Sequence, residues 1–213
     1  RTYHCVISDT EFFLPNLDYL YAWRFVMSKI IKIVALVVFS ATLGVTNIYA
    51  ACTGASPTWT STPDYTSVSS CLSRATVGDT INVASGSATW TSTLTINKGI
   101  YLIGSGSENT IITTTATPGI AYAPSVGAPD NPFRLSGFKF TTTSSSPILQ
   151  WGNINNAPTA LNNNKLTKGR VDHNIFETTG RSTPLVWMYL GTYGVFDNNI
   201  FNAYTYAFRA TSN

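Results

Sequence analysis

Two six-residue strings match position for position 25 residues apart: Val171-Asp172-His173-Asn174-Ile175-Phe176 and Phe196-Asp197-Asn198-Asn199-Ile200-Phe201. They hold most of the side chains that could do chemistry, and three chemistries are open to them. Proton abstraction beside a uronate carboxylate needs a base held near neutral among cations. The catalytic candidates are Asp172, His173, Arg170 and Asp197, with Lys168 and Arg181 as further cations. Against this, His173 stands where the next copy has Asn198, which reads as a turn position open to any turn-compatible polar side chain. Calcium takes six or more oxygens, and Asp172, Asp197 and Glu177 could begin such a set. The plainer alternative is that each Asp caps a turn or pairs with Arg170 or Lys168. An inverting glycoside hydrolase needs two carboxyls about 6.5–9.5 Å apart. No local Asp/Glu pair offers this, although acids distant in sequence could converge, and from Ala51 onward there are only seven acids.

The other candidate chemistry is aromatic. Trp151, Trp187, Tyr189 and Tyr193, with Tyr204 and Tyr206, cluster in the C-terminal half. Exposed, they would form a platform on which sugar rings stack, since amphipathic rings supply apolar area with a polar edge. Alternation along Trp187-Met188-Tyr189-Leu190 must bury one pair and expose the other.

These residues need a scaffold, and composition narrows it. In 213 residues (23.1 kDa) only 11% are charged while 44% are hydrophobic. That excludes a disordered polyelectrolyte and a long surface-charged helix or coiled coil. A net charge of +3 gives no footprint for nucleic acid, so no such partner is expected. Ser and Thr number 45 and Asn 15 in the 163 residues from Ala51, a mixture that favours strands and tight turns.

After Gly78 the chain reads as short β-runs broken by Gly, Asn, Ser and Pro, which a sandwich, a barrel or a solenoid would all satisfy. The repeat decides for a solenoid. Leu135-Ser136-Gly137-Phe138-Lys139-Phe140 is a weaker third copy, 36 residues earlier, with an Asn-rich insertion at 153–169. Sandwich strands have no reason to repeat a string in register. Val171, Phe196, Phe176 and Phe201 should point inward and Asp172 and Asp197 outward. Asn174 and Asn199 should take the left-handed bend and form an amide ladder across coils about 4.8 Å apart.

Upstream, Thr62-Pro63-Asp64 reads as a helix start with Thr62 as cap and the acid in the first turn. Tyr65, Val68, Cys71, Leu72 and Ala75 follow at helical spacing, with Gly78 as the stop. Such a helix would plug the open end of the β-array. Met27, Lys29, Lys32 and the apolar run 33–39 resemble a secretory leader cut after Ala50 or Ala51. A membrane anchor would need about 20 apolar residues, which Lys32 interrupts, and a lipoprotein site at Ala51-Cys52 lacks a branched aliphatic at Tyr49. The expected divisions are therefore an upstream segment (1–26), a signal peptide (27–51), an N-terminal segment with capping helix (52–78) and a β-region (79–213). Export to the medium, periplasm or cell surface leaves Cys52 and Cys71 as an even pair for a disulfide.

The stretches Gly78-Asp79-Thr80-Ile81-Asn82-Val83 and Leu94-Thr95-Ile96-Asn97-Lys98-Gly99-Ile100-Tyr101-Leu102-Ile103-Gly104, with the Asp-His-Asn-Ile-Phe and Asp-Asn-Asn-Ile-Phe strings, resemble right-handed parallel β-helix proteins of the pectate-lyase-like superfamily. The resemblance implies an all-β fold of about five coils behind a capping helix. The end at Thr211-Ser212-Asn213, which follows a coil-like run with no capping helix or hairpin, is expected to be incomplete or to dock onto further coils or another chain. The superfamily covers lyases, glycoside hydrolases, esterases, adhesins and tailspikes. Two functions are therefore expected: a secreted or surface protein that contacts a polysaccharide or glycan in a structural or adhesive role, or a polysaccharide lyase or glycoside hydrolase. In lyases of that superfamily, carboxylates on neighbouring coils bind calcium, which is the one cofactor to be tested.

Overall fold

The computed structural model describes residues 52–125, 129–152, 165–179, 184–189, 191–203 and 206–210. The expected leader and upstream segment lie outside these residues, as do Arg181 and Tyr204. The chain opens with β1 (Thr53–Ala55) and β2 (Thr58–Ser61), an antiparallel pair, then one helix, α1 (Tyr65–Arg74). Fifteen strands follow in threes. These are β3 (Thr80–Val83), β4 (Gly86–Trp90) and β5 (Leu94–Ile96); β6 (Tyr101–Gly104), β7 (Thr110–Thr114) and β8 (Ile120–Tyr122); β9 (Phe133–Ser136), β10 (Lys139–Thr142) and β11 (Leu149–Trp151). The last two threes are β12 (Leu166–Asp172), β13 (Ile175–Thr178) and β14 (Val186–Met188), then β15 (Thr192–Asp197), β16 (Ile200–Asn202) and β17 (Phe208–Ala210).

Each member of a three enters a different sheet. The first sheet runs β1-β2-β3-β6-β9-β12-β15, the second β4-β7-β10-β13-β16 and the third β5-β8-β11-β14-β17. Every strand pair after β1–β2 is parallel. Five circuits thus visit three sheets in one order, an all-β arrangement consistent with a β-helix. Strands β4 and β8 were not expected from the sequence. Gly86-Ser87-Ala88 are poor strand formers and Ile120–Tyr122 is only three residues long, and both strands are held by their neighbours in the ladder.

Register carries the core. Trp59, Ile81, Leu102, Leu135, Val171 and Phe196 form one inward row of the first sheet. Ala88, Ile112, Phe140, Phe176 and Phe201 form its counterpart in the second. The Phe176 and Phe201 rings lie 5.2 Å apart and 6° from parallel, one rung apart as the repeat requires. In the third sheet Leu94, Ile120, Leu149 and Val186 are buried in line.

The circuits differ in length at their corners. Between the first and second sheets four of the five corners are two residues long (84–85, 137–138, 173–174, 198–199). Between the third and first they range from 189–191 to 123–132 and 152–165. The left-handed residue of the short corner is His173 (φ 56°) and Asn198 (φ 54°), aligned with Gly137 (φ 78°). Asn174 and Asn199 sit one place later than the bend expected of them. This displacement frees their amides to reach across circuits. Asn174 Nδ2 donates to Leu135 O (3.0 Å), Asp172 O (2.9 Å) and Asn199 Oδ1 (3.1 Å), and its Oδ1 accepts from Phe138 N (3.0 Å). Asn199 Nδ2 donates in turn to Val171 O (2.7 Å). The expected amide ladder therefore exists, and Asn174 is 1% exposed.

At the other end α1 packs on β2, β3, β4 and β5 through Val68, Cys71 and Leu72. Its cap is Asp64, not Thr62, and no acid lies in its first turn: Ser67 N donates to Asp64 Oδ1 (2.8 Å), while Thr62 bonds the Asp64 carboxylate. The helix ends at Arg74 instead of running to Gly78, and Lys98 Nζ bonds the carbonyls of Leu72 (3.0 Å) and Ala75 (2.7 Å). Cations at this end complement the helix dipole. Cys52 and Cys71 form a disulfide. Asp79 is a second tie, because its carboxylate accepts from Ser56 Oγ, Trp59 Nε1, Thr76 N and Thr76 Oγ1. The Thr76 amide and the Trp59 indole N–H hold its carboxyl down at about 2.

Candidate functional site

The first sheet gathers the catalytic candidates on its outward face. Position 172 pairs with 197 on one row, and 134 with 170 on another. Each arginine reaches one circuit onward. Arg134 Nε and Nη2 grip Asp172 Oδ1 (2.8 Å) and Oδ2 (2.6 Å), and Arg170 Nε and Nη2 grip Asp197 Oδ1 (3.1 Å) and Oδ2 (2.7 Å). Such two-pronged contacts are the strong form of this pairing. Asp172, expected to point outward, is 0% exposed beneath Arg134, Arg170 and His173. Burial opposes its charge, but Arg134, His173 and Ser136 outweigh burial and hold the carboxyl at about 2. The Asp197 carboxylate raises the Arg170 guanidinium, and Asp172 raises that of Arg134.

His173 Nδ1 donates to Asp172 Oδ2 (2.7 Å) with the ring exposed. One circuit on, Asn198 Nδ2 makes the same contact to Asp197 Oδ2 (3.1 Å). A contact that recurs with His and Asn alike belongs to the corner geometry and is not specific to proton transfer. Asp172 and Asp197 have both oxygens engaged by guanidinium. Glu177 does not join them: it lies in the second sheet and pairs with Lys139 Nζ (3.0 Å). Among the described residues no group of three His, Cys, Asp or Glu converges to hold a metal. The donor set does not fit calcium, because arginines occupy the oxygens the ion would take.

The aromatic candidates divide. Trp151, expected at a sugar face, is fully buried against Tyr122, Phe133 and Phe196. Its indole fills space that Gly169 and Gly194 leave open: a Cβ at Gly169 would lie 1.8 Å from Trp151 Cζ2, and one at Gly194 2.4 Å from Cη2. Trp187 is on the outward row of the third sheet with Thr95, Ala121, Gln150 and Arg209. Its ring stacks on Tyr189 at 5.7 Å and 17°, and the Arg209 guanidinium sits 5.0 Å from its centroid. Trp187, Met188 and Tyr189 are all half-buried, so the expected clean alternation is blurred. Tyr193 is exposed, but on β15 of the first sheet, around the corner from that pair. Tyr206 is also exposed.

The sequence did not point to Arg134, the partner of Asp172 from 38 residues upstream. Its signal was available only through register, as an Arg two places before the third copy's Ser136. Among the described residues no helix is long and apolar enough to cross a membrane. In comparisons with protein-family models, curated proteins and solved structures, the chain matches none.

Proposed function

We propose that this is an exported right-handed parallel β-helix protein of pectate-lyase-like type that contacts a polysaccharide or glycan in a structural or adhesive role. The observation that carries the reading is the Trp187–Tyr189 stack, half-exposed on the outward face of the third sheet beside Arg209 and Gln150. Parallel aromatic rings with a cation and an amide alongside suit the apolar faces and hydroxyl edges of sugars. The five circuits and the aligned Phe rows support the fold assignment, and the Cys52–Cys71 disulfide supports export to an oxidising compartment.

Binding of immobilised polysaccharides by the wild type and by a Trp187→Ala/Tyr189→Ala variant tests it. The double variant should bind about ten-fold more weakly, the scale expected for losing a stacked aromatic contact. Equal binding overturns the reading. The alternative is a lyase or hydrolase that would use the exposed His173 ring. It predicts unsaturated or reducing product from uronate or neutral polymers, lost in His173→Ala, whereas the adhesive reading predicts none.

A further inference from the structure

A groove of about 420 Å³ opens between α1 and the edge strand β5. Its helical wall is Tyr65, Ser69, Leu72 and Ser73, and its sheet wall is Thr95, Asn97 and Lys98. The volume lies in the range of small-ligand sites, about 300–1,000 Å³.

Parallel pairing fixes what the sheet wall presents. Leu94 N donates to Gly119 O (3.0 Å), and Ile96 O accepts from Ala123 N (2.9 Å), so the even residues of β5 face β8. The odd residues then turn their N–H and C=O groups the other way, toward the helix. Two contacts agree: the Thr93 carbonyl accepts from Tyr65 Oη (3.1 Å), and the Gly99 carbonyl from Gly78 N (2.9 Å). Thr95 lies between them, so its peptide donor and acceptor face the groove beside the exposed Asn97 side chain and the hydroxyls of Ser69 and Ser73.

We infer that this groove binds a neutral sugar of one or two rings, seated against the Tyr65 ring and hydrogen-bonded by the Thr95 peptide and the Asn97 amide. Three observations choose this ligand. Hydroxyl and amide side chains (Ser69, Ser73, Thr95 and Asn97) line it beside the Tyr65 ring, a mixture suited to polyhydroxylated rings. No acid lines it, and the one cation, Lys98, already bonds the Leu72 and Ala75 carbonyls, so nothing selects a charged ligand. An added peptide strand would need a run of edge groups, but Tyr65 already occupies the Thr93 carbonyl and interrupts that run. The inference shares its ligand class with the proposed function and none of its residues.

The test is amide-shift titration of the ¹⁵N-labelled full chain with cellotriose, mannotriose and galactotriose. Trigalacturonate and a Val/Thr hexapeptide serve as contrasting probes. At least one neutral trisaccharide should move the amides of Thr95, Asn97 and residues 69–73. Ser73→Phe, which fills the groove from an exposed helix position, should weaken that response about ten-fold or more. Asn97→Ala should weaken it too, and Trp187→Ala should leave it unchanged. Silence at these amides with all three neutral sugars overturns the inference, as does a response only to trigalacturonate or the hexapeptide. Shifts confined to Trp187 and Tyr189 would overturn it while sparing the aromatic reading, and groove shifts without aromatic ones would do the reverse.

Discussion

Replacing Asn174 by Ala should destabilise the protein more than the same replacement of Asn199, its amide partner one circuit on. The substitution removes the acceptor for Phe138 N and the donor to Leu135 O, Asp172 O and Asn199 Oδ1. Phe138 is 0% exposed, so water does not reach its freed N–H. A buried polar group left unpaired costs about 1–3 kcal/mol. Counting the N–H in full and the carbonyls in part, since each keeps a second lone pair, gives about 3–5 kcal/mol. Asn199→Ala removes the donor to Val171 O and the acceptor for Asn174 N. Asn199 is half-buried, so water replaces part of the loss, and about 1–2 kcal/mol is expected. Asn174→Asp should be at least as damaging as Asn174→Ala, because a carboxylate would face the Leu135 and Asp172 carbonyls. Urea unfolding followed by tryptophan fluorescence separates these values if the slope stays constant. A loss below about 1 kcal/mol for Asn174→Ala, or one smaller than that for Asn199→Ala, refutes the reasoning.

Other perturbations reach other parts of the molecule. Gly169→Ala should cost about 3 kcal/mol or more, since overpacking a rigid core typically costs 1–3 and here the new Cβ lies 1.8 Å from a buried indole carbon. In a Trp151→Leu background the same change should be nearly neutral, and additive losses in a double-mutant cycle would count against the contact. Asp172 and Asp79 both have folded carboxyls lowered from 3.8 to about 2. Their pairing therefore stabilises the fold fully above the unfolded value and is lost as pH falls from about 4 through 2. Acid unfolding of Asp172→Asn should show a shallower slope in that window, and an unchanged slope would remove Asp172 from the account. Reducing the Cys52–Cys71 bridge, 19 residues in separation, should cost about 3 kcal/mol by loop entropy, read as a lower melting temperature with dithiothreitol.

The repeat was legible because two six-residue strings that share four residues in register, 25 positions apart, leave few folds that align them. Phe176 over Phe201 and the Asn174–Asn199 contact are direct consequences of that alignment. The offset of the left-handed residue was not, because His, Asn and Gly at 173, 198 and 137 tolerate positive φ as well as an adjacent Asn does. Trp151 looked like a surface ring because its space is made elsewhere, by Gly169 and Gly194 on later circuits. Asp172 looked open for the same reason: the side chain that seals it, Arg134, is 38 residues upstream. The groove beside α1 has no signature in sequence, since it arises where a helix meets a strand edge.

The uneven corners divide the molecule into a mostly short seam and a variable one. Where the first sheet turns into the second, two residues suffice at four of the five corners, and the Asn174 and Asn199 amides tie the last three circuits together. Where the third returns to the first, the chain leaves for as few as three residues (189–191) or as many as fourteen (152–165) and still comes back in register. New surface can therefore be grafted along that one line without re-solving the interior, leaving the stacked rings as a fixed spine for exchangeable loops.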